Sequence, residues 1–311
     1  MRPNNSTFGA PARSTLASRE DRQRVIIVHV TSRDKRREGR RRRRAAVAGD
    51  RAIAAPAGPI SGRVAGPDRQ PAYANAANPT MIADAELVPL TDDPPGFPAV
   101  GPGAQRDQNW KNYLNGLDPD GSRRVPVDTM PAALPKPEAV QDKGLRAIGA
   151  AGRQQGVSYA WGGNRSVDGP TRGTLIGDID GKAHDHQDDQ RIGFDCGGLV
   201  RFSMYQATGN DPFEHDRQPE PKGTDLLDTS RHLVPVKGEI TGAAAGEFAQ
   251  PGDVLVFSYP PHQAFSGCNT HHTGLYVGNG VVIHAPESGL PVRLDTLDRW
   301  ATEPTDVLRS E

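Results

Sequence analysis

An α+β domain over residues 137–311, behind a long low-complexity tail over residues 1–136, is predicted by three features of the sequence. Helix-spaced apolar positions occur before Gly209, two-residue alternation takes over after Pro251, and neither period is sustained before Pro137. Helices first and antiparallel strands after give an α+β arrangement. The composition agrees, since 28 Pro, 35 Gly, 5% aromatic residues and a mean hydropathy of −0.62 leave too little apolar material to pack all 311 residues.

The tail holds a short β-like run, Val25–Val30, with no partner nearby, and then a basic block ending in Arg40–Arg44. That block reads as a solvated tail first and as a nucleic-acid or anionic-surface patch second. A formal net charge of −1 argues against nucleic acid as the main partner, and no run reaches transmembrane length. No secretory signal is legible, because Ala45–Ala48 meets Asp50 and Arg51 at once. From Ala54 to Pro137 the chain reads as linker, with Trp110, Tyr113, Leu114 and Leu117 spaced for a short docking helix.

Order is predicted from Pro137, with a helix over 138–155 closed by Gly156. An extended run, Val157–Gly163, follows, and then a polar loop to Gln190. Asp178, Asp180, His184, Asp185, His186, Asp188 and Asp189 make that loop acidic; a solvated loop is the first reading and a divalent-cation site the second. A buried helix runs from Cys196 towards Gly209. Strands are predicted at Val254–Phe257, His272–Val277, Val281–His284 and Val292–Leu294, with Gly278-Asn279-Gly280 as a hairpin turn.

Cys196, at a helix start, has the first backbone N–H groups of the helix aimed at its sulfur, which favours the thiolate and marks it as a nucleophile. His272 and His284 lie on the paired strands of the hairpin and offer a base and a group to orient it. Alternation places His271 on the opposite face from His272. Cys268, the second cysteine, reads as a loop thiol ahead of a disulfide to Cys196 or a zinc site with His271 and His272.

Tyr159-Ala160-Trp161-Gly162-Gly163, Phe194-Asp195-Cys196-Gly197-Gly198-Leu199-Val200, Pro251-Gly252-Asp253-Val254, His272-Thr273-Gly274-Leu275-Tyr276-Val277-Gly278-Asn279-Gly280 and Ile283-His284-Ala285-Pro286 together resemble the successive blocks of the NlpC-type cell-wall peptidases. The loop segment Gly169–Gly173 is similar to one in actinobacterial members. The resemblance covers about residues 137–300 and implies a papain-like fold and a cofactor-free, metal-free cysteine peptidase. Its implied partner is the peptidoglycan stem peptide, with the bond between D-glutamate and diaminopimelate as the expected target and an extracellular or wall location. It implies Cys196 as nucleophile, His272 as base and His284 as its orienting partner. Tyr159 (oxyanion support), Asp195 (a free stem-peptide amine) and Trp161 are implied to line the substrate site, although Asp195 also reads as a helix cap. Gly197 departs from the family's usual serine. Two other expectations stay open: a secreted effector acting on another amide or acyl substrate, and a non-catalytic wall-binding protein.

Overall fold

The computed structural model describes residues 79–83, 85–213, 223–259 and 270–311. The basic block, the run Val25–Val30 and Cys268 lie outside them. Four helices of seven or more residues are described: α1 (Ala104–Leu114), α2 (Lys143–Gly152), α3 (Cys196–Thr208) and α4 (Gly223–Thr229). Six strands form one antiparallel sheet: β1 (Leu233–Thr241), β2 (Val254–Ser258), β3 (Thr270–Gly278), β4 (Val281–His284), β5 (Arg293–Thr296) and β6 (Pro304–Ser310). Their order across the sheet is β1-β6-β2-β3-β4-β5.

Alternation along the strands gives the sheet two apolar faces. Val254, Val256, Leu275, Val277 and Ile283 pack with Leu145, Ile148 and Leu199 of α2 and α3. Leu255, Phe257, Tyr276 and Val282 pack on the other side with Leu297 and Trp300. Full burial of each such side chain contributes about 1.5–3 kcal/mol before entropy is counted. Strands β1 and β6, absent from the sequence reading, extend the sheet on the side away from the β3–β4 hairpin.

Two boundaries differ from the expectation. Helix α2 begins at Lys143 rather than 138, because Asp142 caps it by accepting from the Leu145 N–H at 3.1 Å, and the Asp107 carboxylate takes the N–H groups of Gln141 and Asp142. Those amides are therefore engaged outside any helical ladder.

The larger correction concerns residues 79–136, expected to be linker apart from a short docking helix at Trp110, Tyr113, Leu114 and Leu117. Trp110, Tyr113 and Leu114 of α1 are buried in the same core as α2 and β3. Leu90–Thr91 pairs with Leu134–Pro135, and Thr80 and Ile82 exchange backbone hydrogen bonds with Ser158, Ile192 and Gly156. The ordered unit therefore reaches back at least to residue 79. This segment also holds the β3–β4 turn: Arg123 donates to Asn279 Oδ1 at 2.9 Å, and Asn279 Nδ2 donates to the Pro126 carbonyl at 2.7 Å.

Candidate active site

Helix α3 starts at Cys196 because Asp195 is in an extended conformation and its Oδ1 accepts the Gly198 N–H at 2.6 Å. The other carboxylate oxygen accepts from Asn164 Nδ2 at 2.6 Å. Asp195 is therefore a helix cap, as one of its two readings expected. The run Ser158–Ala160 lies beside Phe194, through hydrogen bonds from Ala160 N to Phe194 O and from Phe194 N to Ser158 O, which brings Tyr159 to the helix start. Helix α3, which begins at Cys196, packs on β3, where the backbone amide of Thr273 acts to lower the Cys196 thiol. The residue before Thr273 is His272.

The two histidines meet across the hairpin. Leu275 pairs with Ile283 and Tyr276 with Val282, so His272 and His284 are diagonal neighbours on one face. Gly274 makes room for the pair, since a Cβ there would come within 3.1 Å of the His284 Cβ and 2.5 Å of a Val282 methyl. His272 Nε2 lies 2.8 Å from His284 Nδ1, and His284 Nε2 lies 3.1 Å from Asp295 Oδ2. Asp295 is again a diagonal step away, because β4 and β5 pair His284 with Arg293 and Val282 with Asp295. His271 points elsewhere: its Nε2 is 2.7 Å from Glu303 Oε2 and its ring packs on Tyr259.

Burial sets the electrostatics. Cys196, His272, His284 and Tyr159 are all buried. Burial first, and the Asp195 charge second, push the Cys196 thiol well above its ordinary range, against the pull of the N–H groups of Gly197 and Thr273. The helix start therefore acts against burial, which pulls the thiol the other way. Burial, reinforced by the charges of His284, His271 and Arg299, holds His272 well below the usual imidazole value. His284 is lowered by burial too, partly offset by Asp295. Burial acts to raise Asp295, but its hydrogen bonds from His284 and Arg293 prevail and hold it at about 2. Burial raises the Tyr159 phenol, followed by the Cys196 and Asp195 charges, so its hydroxyl keeps its proton. Burial thus favours the neutral forms of the thiol and both imidazoles, and leaves a fixed anion, Asp295, at the outer end.

Trp161 is half-buried; its N–H donates to Asp188 Oδ2 at 2.9 Å and its indole N–H to the Ile176 carbonyl at 2.8 Å. Asp188, fully buried, also accepts from Ser288 at 2.7 Å, so one acid of the long loop ties that loop to the chain after β4. Asp178 accepts the N–H groups of Ala183 and His184. Among the described residues no three acids, histidines or cysteines gather as a cation cage. Gly197 abuts Gly223 at the start of α4: a Cβ on residue 197 would lie 2.9 Å from the Gly223 Cα. A serine does not fit there with α4 in place.

Two side chains at this site escaped the sequence reading. Asp295 lies one residue beyond the strand read at Val292–Leu294, and Trp300 sits in the 3-10 turn Leu297–Trp300. The alternation of β5 places residues 293 and 295 on one face and was the available signal for Asp295.

Residues 156–309 match the NlpC/P60 family. A probable endopeptidase of Mycobacterium tuberculosis is 28% identical over 206 residues, which cover 66% of this chain and 40% of that protein. The chain thus spans about 40% of the length of that relative. The peptidoglycan endopeptidase RipB of M. tuberculosis is 26% identical over 200 residues, covering 62% of this chain and 66% of RipB; its solved structure aligns over 54% of this chain and 65% of that one, with a TM-score of 0.35. The structure of RipD from M. tuberculosis, described as a non-catalytic NlpC/p60 domain protein adapted to peptidoglycan binding, is 20% identical, covers 54% of this chain and 97% of that one, and has a TM-score of 0.34.

Proposed function

For a chain that carries an NlpC/P60 domain over residues 156–309, we propose cysteine-type endopeptidase activity on the stem peptides of peptidoglycan, at the bond between D-glutamate and diaminopimelate. The observation that carries the reading is the hydrogen-bonded His272–His284 pair, next in the chain to Thr273, whose backbone amide acts on the Cys196 thiol. In the proposed reaction His272 takes the Cys196 proton as the sulfur attacks the scissile carbonyl carbon. The imidazolium then returns that proton to the departing amine, and a water activated by His272 hydrolyses the thioester. His284 orients the His272 ring and shares the charge that develops on it. The protonated Tyr159 hydroxyl supports the oxyanion, while Asp195 and Trp161 line the site for the substrate's free amine and backbone. A stem-peptide substrate implies a location outside the cell or in its wall.

Digestion of purified muropeptides followed by mass analysis tests this reading, because it reports activity and bond together. The parent should release fragments cut between D-glutamate and diaminopimelate, and Cys196→Ala and His272→Ala should abolish the release. His271→Ala should stay within a few-fold of the parent. Binding of muropeptide without cleavage would instead mark a wall-binding protein, and cleavage of some other amide only would mark an effector.

A further inference from the structure

We infer that Asp295 is a positioning residue of this site, fixing which nitrogen carries the proton in both histidines and thereby making Nδ1 of His272 the base. The inference deepens the proposed reaction and rests on it for its catalytic meaning, but its structural content stands on the hydrogen bonds alone. Asp295 Oδ2 receives His284 Nε2 at 3.1 Å, Arg293 Nε at 3.2 Å and Nη2 at 2.9 Å, and Arg299 Nη1 at 3.4 Å, so three side chains converge on one oxygen. An ionised carboxylate only accepts, which requires the proton of His284 to be on Nε2. In a neutral ring the other nitrogen is then an acceptor, and it faces His272 Nε2 at 2.8 Å. His272 must therefore donate from Nε2, and its Nδ1 is left with the free lone pair. One charge on β5 thus sets the proton positions on β4 and β3 in turn.

The groups around this chain are Arg293 and Arg299 at Asp295, Glu287 and Lys182 beyond Arg299, and His271 with its partner Glu303 on the far side of His272. Both arginines favour the anionic form of Asp295, so the anchor stays charged while the histidines titrate. Without the carboxylate, His284 is free to place its proton on Nδ1, where it would face the Nε2 proton of His272 and break the chain.

The test uses the full chain with 15N-labelled histidine, and reads imidazole nitrogen shifts at pH 8 together with the rate of iodoacetamide alkylation of Cys196 against pH. Neither readout needs a substrate, so failure of the endopeptidase reading and failure of this inference are separate outcomes. The parent should show His272 and His284 protonated on Nε2. Asp295→Leu should give mixed protonation of His284 and slow alkylation about tenfold or more. Asp295→Asn still accepts from His284 but lacks the charge that stabilises the imidazolium, so the acid limb of its alkylation curve should move to lower pH and its plateau should fall. A merely structural role would lower the rate without moving the limb. A parent with His272 protonated on Nδ1 would overturn the inference even if the leucine variant fails to fold. So would an Asp295→Asn curve that overlays the parent's.

Discussion

Trp300 lies flat against His272, with ring centroids 5.2 Å apart and planes 12° from parallel, and it meets His284 edge-on at 5.0 Å. The same indole is parallel to Phe257 at 4.5 Å. A buried aromatic stack of this kind holds the imidazole plane against rotation and presents a π face to the charge that forms when His272 takes a proton.

Replacement of Trp300 should therefore damage the rate as well as the core. Trp300→Ala should cost about 3–5 kcal/mol of stability, a large-to-small change in a packed site. Trp300→Phe keeps a stacking face and should retain more muropeptide hydrolysis than Trp300→Leu, by about tenfold. Equal rates in the two variants, with both folded, would show that the indole only fills space.

The buried thiol gives a second expectation. With Cys196 pushed up by burial and by Asp195, and His272 held down, alkylation of Cys196 by iodoacetamide at pH 7 should be slower than that of a free exposed cysteine, and should rise towards alkaline pH. Mass analysis of the Cys196 peptide over a pH series measures this. A fast reaction that plateaus below pH 7 would instead reveal a resting thiolate–imidazolium pair.

Asp195 should leave a mark on stability. Burial raises its carboxyl to about 6 despite hydrogen bonds from Gly198 and Asn164. Its folded value lies above the unfolded one, so the folded state binds the extra proton and stability from this group falls as pH rises from about 4 through about 6. Asp195→Asn keeps a capping oxygen without the ionisation. The parent should thus lose up to about 3 kcal/mol relative to the variant across that window. Urea midpoints of both proteins at pH 4 and pH 7 check it; a constant difference would place the carboxyl at its ordinary value. Burial of neutral His272 and His284 acts in the opposite sense, since their lowered values cost stability as pH falls below about 6.5, so the comparison with the variant isolates Asp195.

The segment before α2 should behave as part of the domain. Asn279 has φ of 50° and both ends of its side chain are hydrogen-bonded to residues 123 and 126. Asn279→Ala should destabilise by about 2 kcal/mol, from a lost buried hydrogen-bond pair and a left-handed backbone. Limited proteolysis should leave a resistant fragment that still contains Trp110. A stable core beginning at residue 137 would contradict the packing.

Much of the site was legible because its parts follow local rules. The cap at Asp195, the apolar run after Cys196 and the Gly278–Gly280 turn each announce their geometry within a few residues, and the two-residue period then puts His272 and His284 on one face. Asp295 and Trp300 were not legible, since their roles depend on a third strand and a short turn whose pairing no local signal fixes. The segment 79–136 was missed for a related reason. Outside the docking helix, whose spacing at Trp110, Tyr113 and Leu114 was legible, it has no apolar period, and what ties the rest down is isolated: a two-residue strand and backbone groups of Thr80 and Ile82. The burial that pushes the Cys196 thiol up also escaped, because a helix start is visible in sequence and the depth of burial is not.

The contact between Gly197 and Gly223 makes the residue after the nucleophile and a residue twenty-six positions later one unit of variation. A Cβ on Gly197 meets the Gly223 backbone at 2.9 Å, and one on Gly223 meets the Phe213 ring at 2.9 Å and the Gly197 Cα at 3.2 Å, so residue 197 cannot gain a side chain without moving α4. Variants that restore a hydroxyl beside the sulfur should arise only together with a new path for the chain between α3 and β1. The identity of one small residue at the helix start therefore records the route of a distant segment.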